Sequence, residues 1–144
     1  MRRLPLFLGL LVFLLSAETA AAEQFVVIVN AANGTAQLDS KAVKAHFLKT
    51  QASWSAGDRV RPIDQSDATA KRTAFLEKVL GMTAAELERY WLERQYATGD
   101  APPAKAPDDA TVIKLVKTFK GAIGFVSKEA AETAGVKVVL TVSY

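Results

Sequence analysis

The chain has 144 residues, a formal net charge of +3, half of its residues hydrophobic and no cysteine. The missing cysteines exclude disulfides, thiolate metal sites and a lipid-modified cysteine. The charge balance is mild and its basic residues are scattered among acids, which is not the clustered basic face of a nucleic-acid binder, so no nucleic-acid partner is expected.

Taken in chain order, Arg2 and Arg3 precede an apolar run from Leu4 to Leu15 and a small-residue stretch at Ala20-Ala21-Ala22. This is the pattern of a cleavable export signal over residues 1–22. About a dozen apolar residues fall short of the roughly 20 that span a bilayer. The reading therefore places a mature domain over residues 23–144 in the periplasm, with a length that suits one core.

Phe25 to Asn30 (FVVIVN) is a continuous apolar run, the mark of a strand covered on both faces. Asn30 to Gly34 supplies turn chemistry. Asp39 or Ser40 then caps a helix striped by Val43, Phe47 and Leu48 that ends near Lys49. His46, the single histidine, lacks a second ligand at the i+4 spacing and reads as an ordinary surface or half-buried side chain. Gln51 to Asp58 is a loop carrying Trp54, and Arg59 to Ile63 returns as a second strand.

A second helix starts near Thr69, turns Phe75, Leu76, Val79 and Leu80 inward, leaves Lys71, Arg72, Glu77 and Lys78 in water, and stops at Gly81. Thr83 and Glu86 form a capping box for a third helix through about Tyr96. Tyr90, Trp91, Leu92 and Tyr96 on it suit the core better than an aromatic binding platform. The prolines and glycine of Thr98 to Pro107 mark a loop. Asp108 or Asp109 caps a fourth helix bearing Val112, Ile113, Leu115, Val116 and Phe119, ended by Gly121. Its Lys114 and Lys117, with Lys120 beyond, are ordinary partners of a helix C-terminus. Ala122 to Val126 and Val136 to Val142 are strands joined by a helical turn over residues 128–134. The alternation implies an α/β fold: a single three-layer lobe with a small mixed or parallel sheet flanked by helices.

Chemistry is sparse along this chain. No serine sits in a G-x-S-x-G elbow, and the paired acids Asp108-Asp109 and Glu86 with Glu88 are explained by capping and solvation. No catalytic residue, metal or cofactor is expected, so the chain reads as no enzyme. What remains is the turn Asp64 to Arg72, where an apolar strand runs into a helix start. Backbone N–H groups and the helix dipole converge there, Ser66 and Thr69 add hydroxyls, and Arg72 adds a planar charged fork. The same residues equally suit a plain helix cap with an arginine facing water.

Four pieces in order, VVIVNAAN, LDSKAVKAHFLKTQASW, the turn into AFLEKVLG, and GAIGFVS, resemble the second lobe of type 2 periplasmic solute-binding proteins. The resemblance is to the phosphate-binding branch of ABC importers and spans nearly the whole mature chain. In that family the turn reads R-x-x-G-S-G-T-R-x-x-F. Aligned on Phe75, its Ser falls on Thr69, its Gly on Ala70, its Thr on Lys71, its following Arg on Arg72 and its leading Arg on Gln65.

The resemblance implies a non-enzymatic domain that recognises phosphate or a related small oxyanion through Thr69, Lys71 and Arg72, with Ser66 as a weaker addition. It also implies a membrane transporter as partner, in ABC-type uptake or sensing. Two departures weigh against tight recognition: the leading guanidinium is absent, and full members close two lobes over the ligand where this length suits one. An isolated lobe is expected to bind phosphate no better than roughly millimolar. The alternative is a ligand-free protein-interaction module of the cell envelope that kept the lobe. A homodimer that sets two helix starts face to face is a third arrangement.

Overall fold

The structure is a computed structural model that describes residues 22–66 and 69–144. The export signal expected over residues 1–22 lies outside the described residues save Ala22, as do residues 67 and 68 of the turn.

Five strands form one mixed sheet in the order β3-β2-β4-β1-β5. β1 (Gln24–Val29) runs antiparallel to β4 (Ala122–Ser127) and to β5 (Lys137–Ser143). β2 (Arg61–Gln65) runs parallel to β4 and to the short edge strand β3 (Ala104–Ala106). Helices cover both faces, which is why the interior strand β1 is apolar without alternation. On one side α1 (Ser40–Phe47), α2 (Ala70–Phe75), a π-helical turn (Leu76–Leu80) and α3 (Ala84–Thr98) pack Val43, Phe47, Phe75 and Trp91 onto Phe25, Val27 and Phe125. On the other, α4 (Asp109–Thr118) and α5 (Lys128–Ala131) bring Val112, Val116 and Ala131 onto Val26, Ile28 and Val126. The expected three-layer α/β lobe is the fold observed.

Phe75 and Phe125 stack with ring centroids 4.0 Å apart and planes 8° off parallel, and Phe47 meets Phe75 edge-on at 4.8 Å. This aromatic seam ties the end of α2 to β4 and so fixes where the helix start sits above the sheet.

Several expectations need correction. His46 is buried, at 3 % exposure, with Nδ1–H donating to the Gln51 carbonyl at 3.1 Å and its ring 4.3 Å from that of Trp54. The indole, itself buried, donates to the Gly121 carbonyl at 2.9 Å and roofs the imidazole, which helical periodicity could not show. Of the four α3 residues assigned to the core, Trp91 is buried and Tyr90 half-buried, while Leu92 and Tyr96 stand 62 % and 92 % exposed, because only one narrow stripe of α3 meets the sheet. The loop expected before α4 contains β3, too short to carry a periodic signal. α4 stops at Thr118 rather than Gly121, with Phe119 already extended at φ −108° and ψ 119°.

Candidate functional site

β2 ends by delivering Asp64 and Gln65, both buried, to the foot of α2. Thr69 is the N-cap of α2: its hydroxyl accepts the Arg72 backbone N–H at 3.1 Å. Ser66 turns the other way, with its N–H donating to the Ala106 carbonyl at 3.0 Å and its hydroxyl 3.4 Å from the same oxygen. The two hydroxyls thus serve the backbone on opposite sides of the turn.

Lys71 and Arg72, expected in water, are folded inward with side chains 12 % and 14 % exposed, because each has an acid to meet. Arg72 grips Asp64 in a two-pronged pair, Nε to Oδ1 at 3.1 Å and Nη2 to Oδ2 at 2.9 Å. Such forked geometry is the strong form of an arginine–carboxylate contact. The other Asp64 role is local, since its Oδ1 also accepts the Gln65 N–H at 2.7 Å.

Lys71 meets Asp109, the first residue of α4, with Nζ 2.5 Å from Oδ1. The same oxygen accepts Gln65 Nε2 at 2.7 Å, and Oδ2 accepts the Ser127 backbone N–H at 3.1 Å. Gln65 is held in turn by the Phe125 carbonyl at 3.0 Å, and Lys71 also reaches the Ser127 hydroxyl at 3.2 Å. One carboxylate therefore sits in a seat of an ammonium, an amide and a backbone N–H. Burial pushes the Asp109 carboxyl up, but the Lys71 and Gln65 side chains and the Ser127 N–H outweigh it and hold the group below its ordinary value. Asp108 beside it is the cap proper, its carboxylate accepting the Thr111 N–H at 2.8 Å.

Sequence reading put Thr69, Lys71, Arg72 and Ser66 in one site. The structure brings Lys71 and Arg72 to one corner with Asp64, Gln65, Asp109 and Ser127, and sets the hydroxyls of Thr69 and Ser66 to backbone duty. Asp64, Asp109 and Ser127 were not singled out for this corner, and Gln65 only as the place of an absent arginine. A signal did exist for Asp109: one aspartate suffices as a cap, so the second of an Asp-Asp pair needs another partner. The corner sums to neutrality, two cations against two carboxylates. Among the described residues no group of three or more His, Cys, Asp or Glu is arranged to hold a metal.

No family model and no curated protein sequence matches the chain. Solved structures do match its fold. An ABC-type phosphate transport receptor from Vibrio cholerae is 18 % identical with a TM-score of 0.65, covering 83 % of this chain and 46 % of its own length. PstS from Borrelia burgdorferi is 9 % identical with a TM-score of 0.64, covering 83 % of this chain and 47 % of its own length. The chain shares their fold over about half their length. The resemblance drawn from the four sequence pieces thus extends to the arrangement of the sheet and helices. At these identities the likeness is one of fold, and it does not transfer a ligand to the corner at α2.

Proposed function

We propose that this chain is an exported, non-enzymatic lobe of the solute-binding type whose anion seat is filled by its own Asp109. In this reading it serves the periplasm as an interaction module for an envelope or membrane-transporter protein. The observation that carries it is the Asp109 carboxylate, which takes the ammonium of Lys71, the amide of Gln65 and the N–H of Ser127 at once. A free phosphate would have to displace a carboxylate that is tethered in place, and a short tether alone presents its group at an effective concentration of about millimolar. It would also face Asp64, whose charge already answers Arg72.

A second reading keeps phosphate or a related oxyanion as ligand, in ABC-type uptake or sensing. Two facts favour it: one fold neighbour is an ABC-type phosphate transport receptor, and Asp109 remains 21 % exposed in its side chain. Calorimetric titration of residues 23–144 with inorganic phosphate separates the two. A filled seat predicts no saturable binding below about 10 mM for the wild type, and a gain into the millimolar range for Asp109→Ala that Lys71→Ala abolishes. Submicromolar binding by the wild type, lost on substituting Lys71 and Arg72, establishes the receptor reading instead.

A further inference from the structure

A second cluster of cations lies at the opposite end of β2. β3 pairs with β2 only from Ile63 onward, so Arg61 and Pro62 form an uncovered edge. Beside that edge opens a cavity of about 400 Å³. Lys49, Arg59 and Arg61 line its rim, and Ile63, Leu115 and Phe119 are among its apolar walls. This is the size range of small-molecule sites, and the mixture of apolar wall with few polar groups is also theirs.

Among the described residues none of the three cations has a carboxylate within ion-pair distance, though Asp100 acts on Lys49 from beyond it. The acids close by in sequence are engaged elsewhere: Asp58 with Lys120 at 3.4 Å and Asp100 with Arg94 at 3.1 Å. Lys49 donates to the Ala101 carbonyl at 2.8 Å, and the Arg61 guanidinium lies 4.4 Å from the centroid of the Phe119 ring. Phe119 itself is a large apolar side chain left 37 % exposed. Lys49 is moreover the single non-glycine residue with positive φ among the described residues, at 57°. That conformation belongs to the helix end: Lys49 is the left-handed residue closing α1, where the Thr50 N–H donates to the Ala45 carbonyl at 3.0 Å. Burial, with Arg59 and Arg94 nearby, pushes the Lys49 ammonium down against the opposing pull of Asp100.

We infer that this cavity is a binding site for a small organic anion with a flat apolar body, of the class of aromatic carboxylates. Arg59 and Arg61 offer planar forks that match a carboxylate's two oxygens. Lys49 adds a point charge, and Phe119 with Leu115 and Ile63 covers the ring. Arg61 already lies against Phe119, so a bound aromatic extends a contact that is in place. The site is independent of the Asp109 seat, since it lies at the other end of β2 and shares no residue with it.

Phthalate serves as the probe, followed by backbone-amide NMR on residues 23–144. Saturable shifts should concentrate on residues 59–63, 103–104 and 115–119, with a dissociation constant of about a millimolar or lower, as befits a ligand of few atoms. The double variant R59Q/R61Q should weaken binding at least about tenfold, because both forks are removed. Arg59 and Arg61 are both exposed, and the same spectra report whether the variant is folded. Absence of saturable shifts up to about 50 mM phthalate, a range that reaches very weak affinities, overturns the inference. So do shifts confined to residues 64–72 and 109, or an affinity the double variant leaves unaltered. The wild-type map decides the matter by itself if the variant proves unstable.

Discussion

Asp109 draws an ammonium, an amide and a backbone N–H to one carboxylate, and its consequences are testable by pH. Its folded value lies below the ordinary carboxylate value, so its contribution is fully present above about 3.9, the unfolded value, and is lost as pH falls through the lower folded one. Asp109→Asn should therefore cost about 1–3 kcal/mol at pH 7, with the difference from wild type shrinking below about pH 4 in urea-unfolding curves. A pH-independent difference would assign the loss to packing. His46 titrates in a separate window. Burial pushes its imidazole down, against the Gln51 hydrogen bond, so the unfolded chain takes up a proton first as pH drops below about 6.5. Stability should decline from there toward the folded value, and His46→Asn, whose amide can replace the Nδ1 donor, should flatten the decline between about pH 7 and 5. Residue-scale features were legible only where they are local. The Thr69 cap spans three positions and was readable from composition, as was the Thr83–Glu86 box. The Lys71–Asp109 pair spans 38 positions, and no periodic pattern marks a contact made through a tertiary fold.

At the scale of elements, the helices and long strands followed from their apolar periods, and the departures share one cause. Where two elements touch through backbone, sequence periodicity is silent. The second helix was expected as one α-helix from Thr69 to Leu80, yet after Phe75 it loosens into the π-helical turn before Gly81 closes it at φ 64°. Met82 donates to the Leu76 carbonyl at 3.0 Å and completes that closure. The approach of β4 to β2 is tighter still. A Cβ at Gly121 would stand 2.0 Å from the Arg59 carbonyl oxygen, a backbone atom that cannot rotate away, and the Gly121 carbonyl receives both the Arg61 N–H and the Trp54 indole at 2.9 Å. Gly121→Ala should destabilise the fold by about 3 kcal/mol, the upper end for overpacking. Gly124→Ala, whose Cβ would meet Val112 Cγ1 at 2.5 Å, should be milder because a side chain can yield. Thermal unfolding of the two variants checks the order, and an equal or reversed order would show that the β2–β4 edge relaxes freely. The sequence motif GAIGF was visible from the start, but the reason for its first glycine is a carbonyl 62 positions upstream.

For the molecule as a whole, the question is whether residues 23–144 fold as one cooperative unit. Both faces of the sheet are covered, each by its own buried cluster, and no buried side-chain polar atom among the described residues lacks a partner. The corner at α2 is charge-balanced from within, so it does not call for a second lobe or a second copy to neutralise it. Among the described residues the exposed large apolar side chains are few: Leu92 and Tyr96 neighbour each other one turn apart on α3, and Phe119 after α4 and Val138 on β5 lie on other elements. A stable dimer face needs a contiguous apolar centre of many residues, which one neighbouring pair does not supply. Residues 23–144 should therefore unfold as one cooperative monomer, with calorimetric and van't Hoff enthalpies equal and near roughly 80 kcal/mol at 60 °C. The midpoint should not move when protein concentration is raised about a hundredfold, since only an associated native state gains stability by mass action. A midpoint that climbs with concentration, together with an early-eluting peak in gel filtration, would instead favour the homodimer in which two α2 starts face each other. In that event the Asp109 seat becomes the place to look for cross-subunit exchange, because a neutral corner facing its own copy can trade carboxylates without changing its charge.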